Sequence, residues 1–191
     1  MKTPKLLALL ATFGAAAFFA VAADAPAPAA PAGYSVTLTD VHMCCGNCVK
    51  GTAAAVKGID GVTAIGDTKA STIVVSAPDQ ATAQKAVDAL TGAGFFGKSS
   101  TGDIKVSADT GATATKVSSM EISNLHLCCG KCVTAVNGIL GKVAGVTGND
   151  AKANAKSFTV TGDFSPKDVM DALQKGGLTG KVGATKPEVK S

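Results

Sequence analysis

From residue 34 onward the apolar positions follow two alternating rhythms. Tyr34, Val36 and Leu38 repeat every second residue, which predicts a half-buried strand over 34–40. The Ala- and Val-rich stretch 48–57 predicts a helix. Short strands are expected at 62–65 and at 71–77, the second centred on Ile73-Val74-Val75. Pro78-Asp79 opens another helix. It carries Ala83, Ala86, Val87 and Leu90 on one face, and Gly92 and Gly94 end it. A last strand is expected within 98–106. The same rhythm then returns, with strands at 118–124, 146–149, 157–161 and 179–183 and helices at 131–142 and 165–175. Ser165-Pro166 has the form of an N-cap followed by proline in the first turn.

The second series is a copy of the first. VTLTDVHMCCGNCV (Val36 to Val49) aligns with MEISNLHLCCGKCV (Met120 to Val133). Gly61-Val62-Thr63 answers Gly145-Val146-Thr147, and Gly94-Phe95 answers Gly177-Leu178. Each copy therefore has the order βαββαβ, the ferredoxin-like plan. The expected fold class is α+β, with tandem ferredoxin-like domains at 34–106 and 117–185. Polar, Gly-containing 107–116 reads as a linker between them, and 186–191 as a disordered tail.

The first 33 residues fit neither copy. Lys2 and Lys5 precede an apolar run that ends at Ala20-Val21-Ala22, the three-part form of a signal peptide over 1–22. The run is shorter than the ~20 apolar residues of a spanning helix and contains Gly14, so cleavage is expected rather than anchoring. The Ala/Pro-rich stretch 23–33 reads as an extended tether. The mature protein is thus expected to be exported, periplasmic or secreted, with no membrane association after cleavage.

Composition narrows the function classes. The net charge is +4, every basic residue is lysine, and there is no Trp. Without arginine the chain lacks the commonest base-reading side chain, which argues against nucleic-acid recognition. No Ser-His-Asp set, phosphate loop or paired carboxylate stands at the repeated motif, so no enzyme is expected.

The candidate chemistry lies in the repeated His-x-Cys-Cys-Gly-x-Cys. All six cysteines are there: Cys44, Cys45 and Cys48, then Cys128, Cys129 and Cys132. The only histidines, His42 and His126, hold the same position in each motif. The motif falls where a strand gives way to a helix. A helix N-terminus is positive and favours thiolate, the form that binds metal. Soft thiolates select ions such as Cu(I) and Zn(II). The Cys45/Cys48 and Cys129/Cys132 pairs rank first as metal ligands. The extra thiols Cys44 and Cys128 rank next, because neighbouring residues on a strand face opposite ways. His42 and His126 rank last. Three sulfurs suit a trigonal Cu(I) site, and three sulfurs with one imidazole suit a closed Zn(II) site. The competing readings are an exported thiol-redox or disulfide module and a repeat protein with a purely structural metal site.

Met43-Cys44-Cys45-Gly46-Asn47-Cys48 resembles the Met-x-Cys-x-x-Cys signature of the heavy-metal-associated domains, which include copper chaperones and the periplasmic mercury-binding protein. The likeness implies a βαββαβ fold and a soft metal ion, Cu(I) favoured with Zn(II) or Hg(II) as alternatives. It also implies a metal-donor or acceptor protein as partner. It makes Cys45, Cys48, Cys129 and Cys132 the thiolates, Met43 the buried methionine beneath the loop, and Phe95 the aromatic near the site. The departures are His42 and His126 in place of glycine, the extra Cys44 and Cys128, and Leu127 and Leu178 where the second copy lacks the Met and the aromatic.

Overall fold

The computed structural model describes residues 33–187. The expected signal peptide, nearly all of the tether and the last four residues lie outside this range. Strand β1 (Tyr34–Thr39), helix α1 (Gly46–Val56), strands β2 (Thr63–Asp67) and β3 (Thr72–Ala77), helix α2 (Gln80–Gly92) and strand β4 (Lys98–Ser99) form the first unit. Strand β5 (Val117–Ser123), helix α3 (Gly130–Leu140), strands β6 (Val146–Asn149) and β7 (Ser157–Phe164), helix α4 (Pro166–Lys175) and strand β8 (Lys181–Pro187) form the second. The sheets run β2-β3-β1-β4 and β6-β7-β5-β8, with all neighbouring pairs antiparallel. This is the ferredoxin-like order in both units.

Register follows from alternation. Val36 faces Val75 and Leu38 faces Ile73 across β1 and β3, and all four are buried. Helix α2 covers them with Ala83, Ala86, Val87 and Leu90. Its N-cap is Asp79, whose carboxylate accepts a 2.7 Å hydrogen bond from Thr82 N. In the second unit Met120 and Ile122 of β5 pair with Val160 and Phe158, beneath Val169, Met170 and Leu173 of α4. Among the described residues no helix is long and apolar enough to cross a membrane.

The final strands depart from expectation in opposite directions. β4 keeps only Lys98–Ser99 of the expected 98–106. Beyond it Ser100 still bonds Thr37 of β1 but regular pairing stops, Ile104 returns to the core, and the Gln84 side chain bonds both backbone groups of Lys105. β8 instead extends to Pro187, so Lys186 and Pro187 pair with β5 rather than belonging to a loose tail. The linker is also anchored. Thr110 O accepts from Val182 N, and Thr113 O accepts from Lys167 N.

Candidate metal centre

Each motif is carried by the junction between the first strand and first helix of its unit. Asp40 and Asn124 turn the chain out of β1 and β5 with left-handed backbones (φ 59° and 57°), a region that Asp and Asn tolerate. Residues 41–44 and 125–128 then run without regular structure. Cys45 and Cys129 are the extended N-cap residues of α1 and α3 (φ −164° and −162°). The helices therefore begin at Gly46 and Gly130, which places Cys48 and Cys132 in the first turn. Cys48, Thr52 and Val56 form the buried stripe of α1, and Cys132, Val136 and Leu140 that of α3. The third cysteine of each motif thus points inward because it begins a helix's apolar face. Met43 and Leu127 are buried beneath the loops, and the Met43 methyl fills the space above Gly66.

The two loops meet. Cys44 Sγ lies 3.7 Å from Cys48 Sγ in its own loop, but 3.5 Å from Cys129 Sγ and 3.4 Å from Cys132 Sγ in the other. The reciprocal set holds as well. Cys128 Sγ is 3.6 Å from Cys132, 3.7 Å from Cys45 and 3.5 Å from Cys48. Cys45 and Cys129 lie 3.8 Å apart. The sulfurs form two four-membered groups, each with all members within 4.8 Å of one another. One is Cys44, Cys45, Cys128 and Cys129, and the other is Cys44, Cys48, Cys128 and Cys132. Cys44 and Cys128 belong to both. Cys45 and Cys48 fall in different groups, as do Cys129 and Cys132. The loops leave the strand before the cysteines, so the adjacent thiols of Cys44 and Cys45 both face the centre. All six cysteines are free thiols.

Protonation is uneven across the cluster. Burial, reinforced by hydrogen bonds to neighbouring thiols, pushes the Cys44 and Cys128 thiols well above the usual range. Cys129 is drawn down to about 6, chiefly by the backbone N–H of Cys132. Burial pushes Cys132 up, and the negative charges of Cys48 and Cys129 add to that rise. Thiolates packed this closely oppose one another's ionisation. A cation is what would allow the whole set to be thiolate together.

The histidines lie outside both sulfur groups. Each is turned toward the opposite unit. The His126 ring stacks on Phe95 at 4.4 Å between centroids, and its Cε1 would lie 2.8 Å from a Cβ at Gly51 of α1. His42 lines a cavity with Ala135, Gly138 and Ile139 of α3 and with Gly176. Both Nε2 atoms are buried without a hydrogen-bond partner among the described residues, and burial lowers both imidazole pKa values.

The contact between the units also uses residues outside the motifs. Phe95 and Leu178 form an antiparallel bridge. Phe96 N donates to Gly177 O at 3.3 Å, and Thr179 N donates to Gly94 O at 3.1 Å. His42 N also donates to Gly177 O, at 3.1 Å. Gly94 and Gly177 have positive φ (91° and 78°), and a Cβ at either would strike the backbone of the other unit, at His126 N and His42 N. The duplication of Gly94-Phe95 as Gly177-Leu178 is visible in the sequence. Its role is not, because that role exists only between the units.

These features define an α+β protein of two ferredoxin-like units with a thiol-rich centre between them. Among solved structures it is similar to the N-terminal soluble domains of Bacillus subtilis CopA, with 18% identity over 79% of this chain and 94% of that one and a TM-score of 0.32. It is also similar to the apo form of the HMA domain of copper chaperone for superoxide dismutase, with 22% identity over 48% of this chain and 92% of that one and a TM-score of 0.33. Superpositions this loose add nothing to the fold read from strand order. No protein-family model and no curated protein matches the sequence.

Proposed function

We propose that this chain is an exported binding protein for a soft metal ion, which it sequesters or hands over through cysteine thiolates. The observation that carries this reading is the convergence of six free thiols from two loops, with seven sulfur pairs 3.4 to 3.8 Å apart and each four-sulfur group within 4.8 Å. A four-coordinate ion with metal–sulfur bonds of about 2.3 Å holds its sulfurs about 3.8 Å apart, so the observed spacing fits such an ion. Softness of the donors favours Cu(I), Zn(II) or Hg(II) over hard cations. The four-sulfur grouping favours a tetrahedral ion such as Zn(II). Both loops end at an exposed helix N-terminus, Gly46-Asn47 and Gly130-Lys131, which gives a partner's thiolates a route of approach. Hand-over would proceed by those thiolates replacing the protein's own one at a time. The sequence features of residues 1–22 support export, and the likeness of the motif to the heavy-metal-associated domains supports the metal.

The test is anaerobic titration of the reduced chain with Cu(I), Zn(II) and Hg(II), followed by native mass spectrometry. Tight binding that protects the cysteines from alkylation is the expected result. Binding no stronger than that of a chain with all six cysteines changed to serine would refute the proposal.

A further inference from the structure

We infer that the centre holds two soft metal ions, with Cys44 and Cys128 each bridging both. This inference rests on the metal-binding reading and concerns how many ions are bound and by which sulfurs. The two four-sulfur groups share Cys44 and Cys128 and differ in the remaining pair, Cys45 with Cys129 or Cys48 with Cys132. Two tetrahedra that share an edge have this composition: two bridging and four terminal sulfurs. A thiolate sulfur keeps more than one lone pair after binding one ion, so it is able to bind a second. Both bridging candidates sit within 3.4 to 3.7 Å of terminal sulfurs in each group.

The arrangement gives the extra cysteine of each motif a function. A single Cys-x-x-Cys loop offers two sulfurs, and two such loops offer four, enough for one tetrahedral ion. The third thiol per loop raises the total to six, which completes two tetrahedra only when two sulfurs are shared. Charge agrees with this count. Six thiolates and two divalent ions leave two negative charges on the centre, against four with two monovalent ions. The N-termini of α1 and α3 face that charge. On loading, each sulfur still protonated gives its proton to solvent, and every sulfur gives an electron pair to the metal, with no change of oxidation state.

The alternative arrangements are one ion shared between the units and two independent ions, one at each Cys-x-x-Cys. The reduced full chain is titrated anaerobically with Cd(II) as a spectroscopic substitute for Zn(II), then measured by native mass spectrometry and by 113Cd NMR. Two ions are expected, with scalar coupling between their resonances through the bridging sulfurs. The Cys45→Ser/Cys129→Ser variant should keep one ion, in the group of Cys44, Cys48, Cys128 and Cys132. Independent loop sites would leave it none. The Cys44→Ser/Cys128→Ser variant should lose the coupling and hold at most one ion, whereas independent sites would leave it two. Circular dichroism of the variants establishes that they are folded. Saturation of the unaltered chain at one ion, or two uncoupled ions that survive loss of Cys44 and Cys128, would overturn the bridged centre while leaving metal binding intact. Failure of the unaltered chain to bind any of these ions would overturn both.

Discussion

The sulfurs of Cys44 and Cys132 lie 3.4 Å apart although 88 residues separate them, closer than Cys44 lies to Cys48 within its own loop. The thiol cluster therefore belongs to the contact between units as much as to either motif. Changes at that contact should act on the centre without touching a cysteine.

The Gly94→Ala and Gly177→Ala variants provide that test. Each puts a Cβ on a left-handed backbone and drives it into the other unit's main chain. Each should destabilise the protein by about 1–3 kcal/mol and weaken metal binding. Urea unfolding followed by metal titration measures both effects. Unchanged affinity in a folded variant would mean that the units need not touch to form the centre.

Phe95 is fully buried, bridges to Leu178 and stacks on His126. Phe95→Ala should cost about 3–5 kcal/mol in chemical denaturation. It should also expose His126, seen as a rise of its imidazole pKa toward the ordinary value by NMR titration, because burial is what depresses it.

In the metal-free reduced protein the thiols should differ in reactivity. Cys129, drawn down to about 6, is thiolate-rich near neutral pH; the Cys48 thiol is also lowered but is buried from reagent, and burial keeps Cys44 and Cys128 protonated. Iodoacetamide labelling read by peptide mass spectrometry should modify Cys129 first and Cys44 and Cys128 last. The Cys129 rate should fall as pH drops through about 6. Equal rates at all sites would contradict this order.

Asp79 supplies an acid-sensitive contribution to the first unit. Its backbone hydrogen bond from Thr82 holds the folded carboxyl below its ordinary value. A lowered folded pKa means stability that is present above the unfolded value of about 3.9 and is lost as pH falls through the folded value. Asp79→Ala should therefore lower the urea midpoint at pH 7, and the difference from the unaltered protein should shrink below about pH 4. A difference that persists undiminished at low pH would point to another cause.

The units themselves are legible in the sequence because their signals are local. Alternation at Val36 and Leu38, the Ala83–Leu90 face and the Ser165-Pro166 start each depend on neighbours a few residues away. The lengths of β4 and β8 are not legible in this way, because pairing at a sheet edge depends on contacts made by more distant residues. Gln84 captures Lys105 in one unit, whereas β5 offers β8 a full-length partner in the other. The thiols are legible as a set but not in their grouping. Spacing pairs Cys45 with Cys48 inside one loop, whereas both sulfurs lie against Cys128 of the other loop, at 3.7 and 3.5 Å, a contact no local spacing encodes. The position of His126 depends on Phe95 and Gly51 of the other unit, which no local pattern encodes.

The reciprocal bridge of Phe95 with Leu178, flanked by Gly94 and Gly177, is the kind of isologous contact that joins identical subunits. A chain with one copy of the motif would need a second molecule to gather six sulfurs, and its centre would come apart on dilution. Carrying both copies in one chain makes assembly first-order. The centre can then close at any protein concentration, because the second unit's effective concentration is fixed by the joining chain rather than by encounter between molecules.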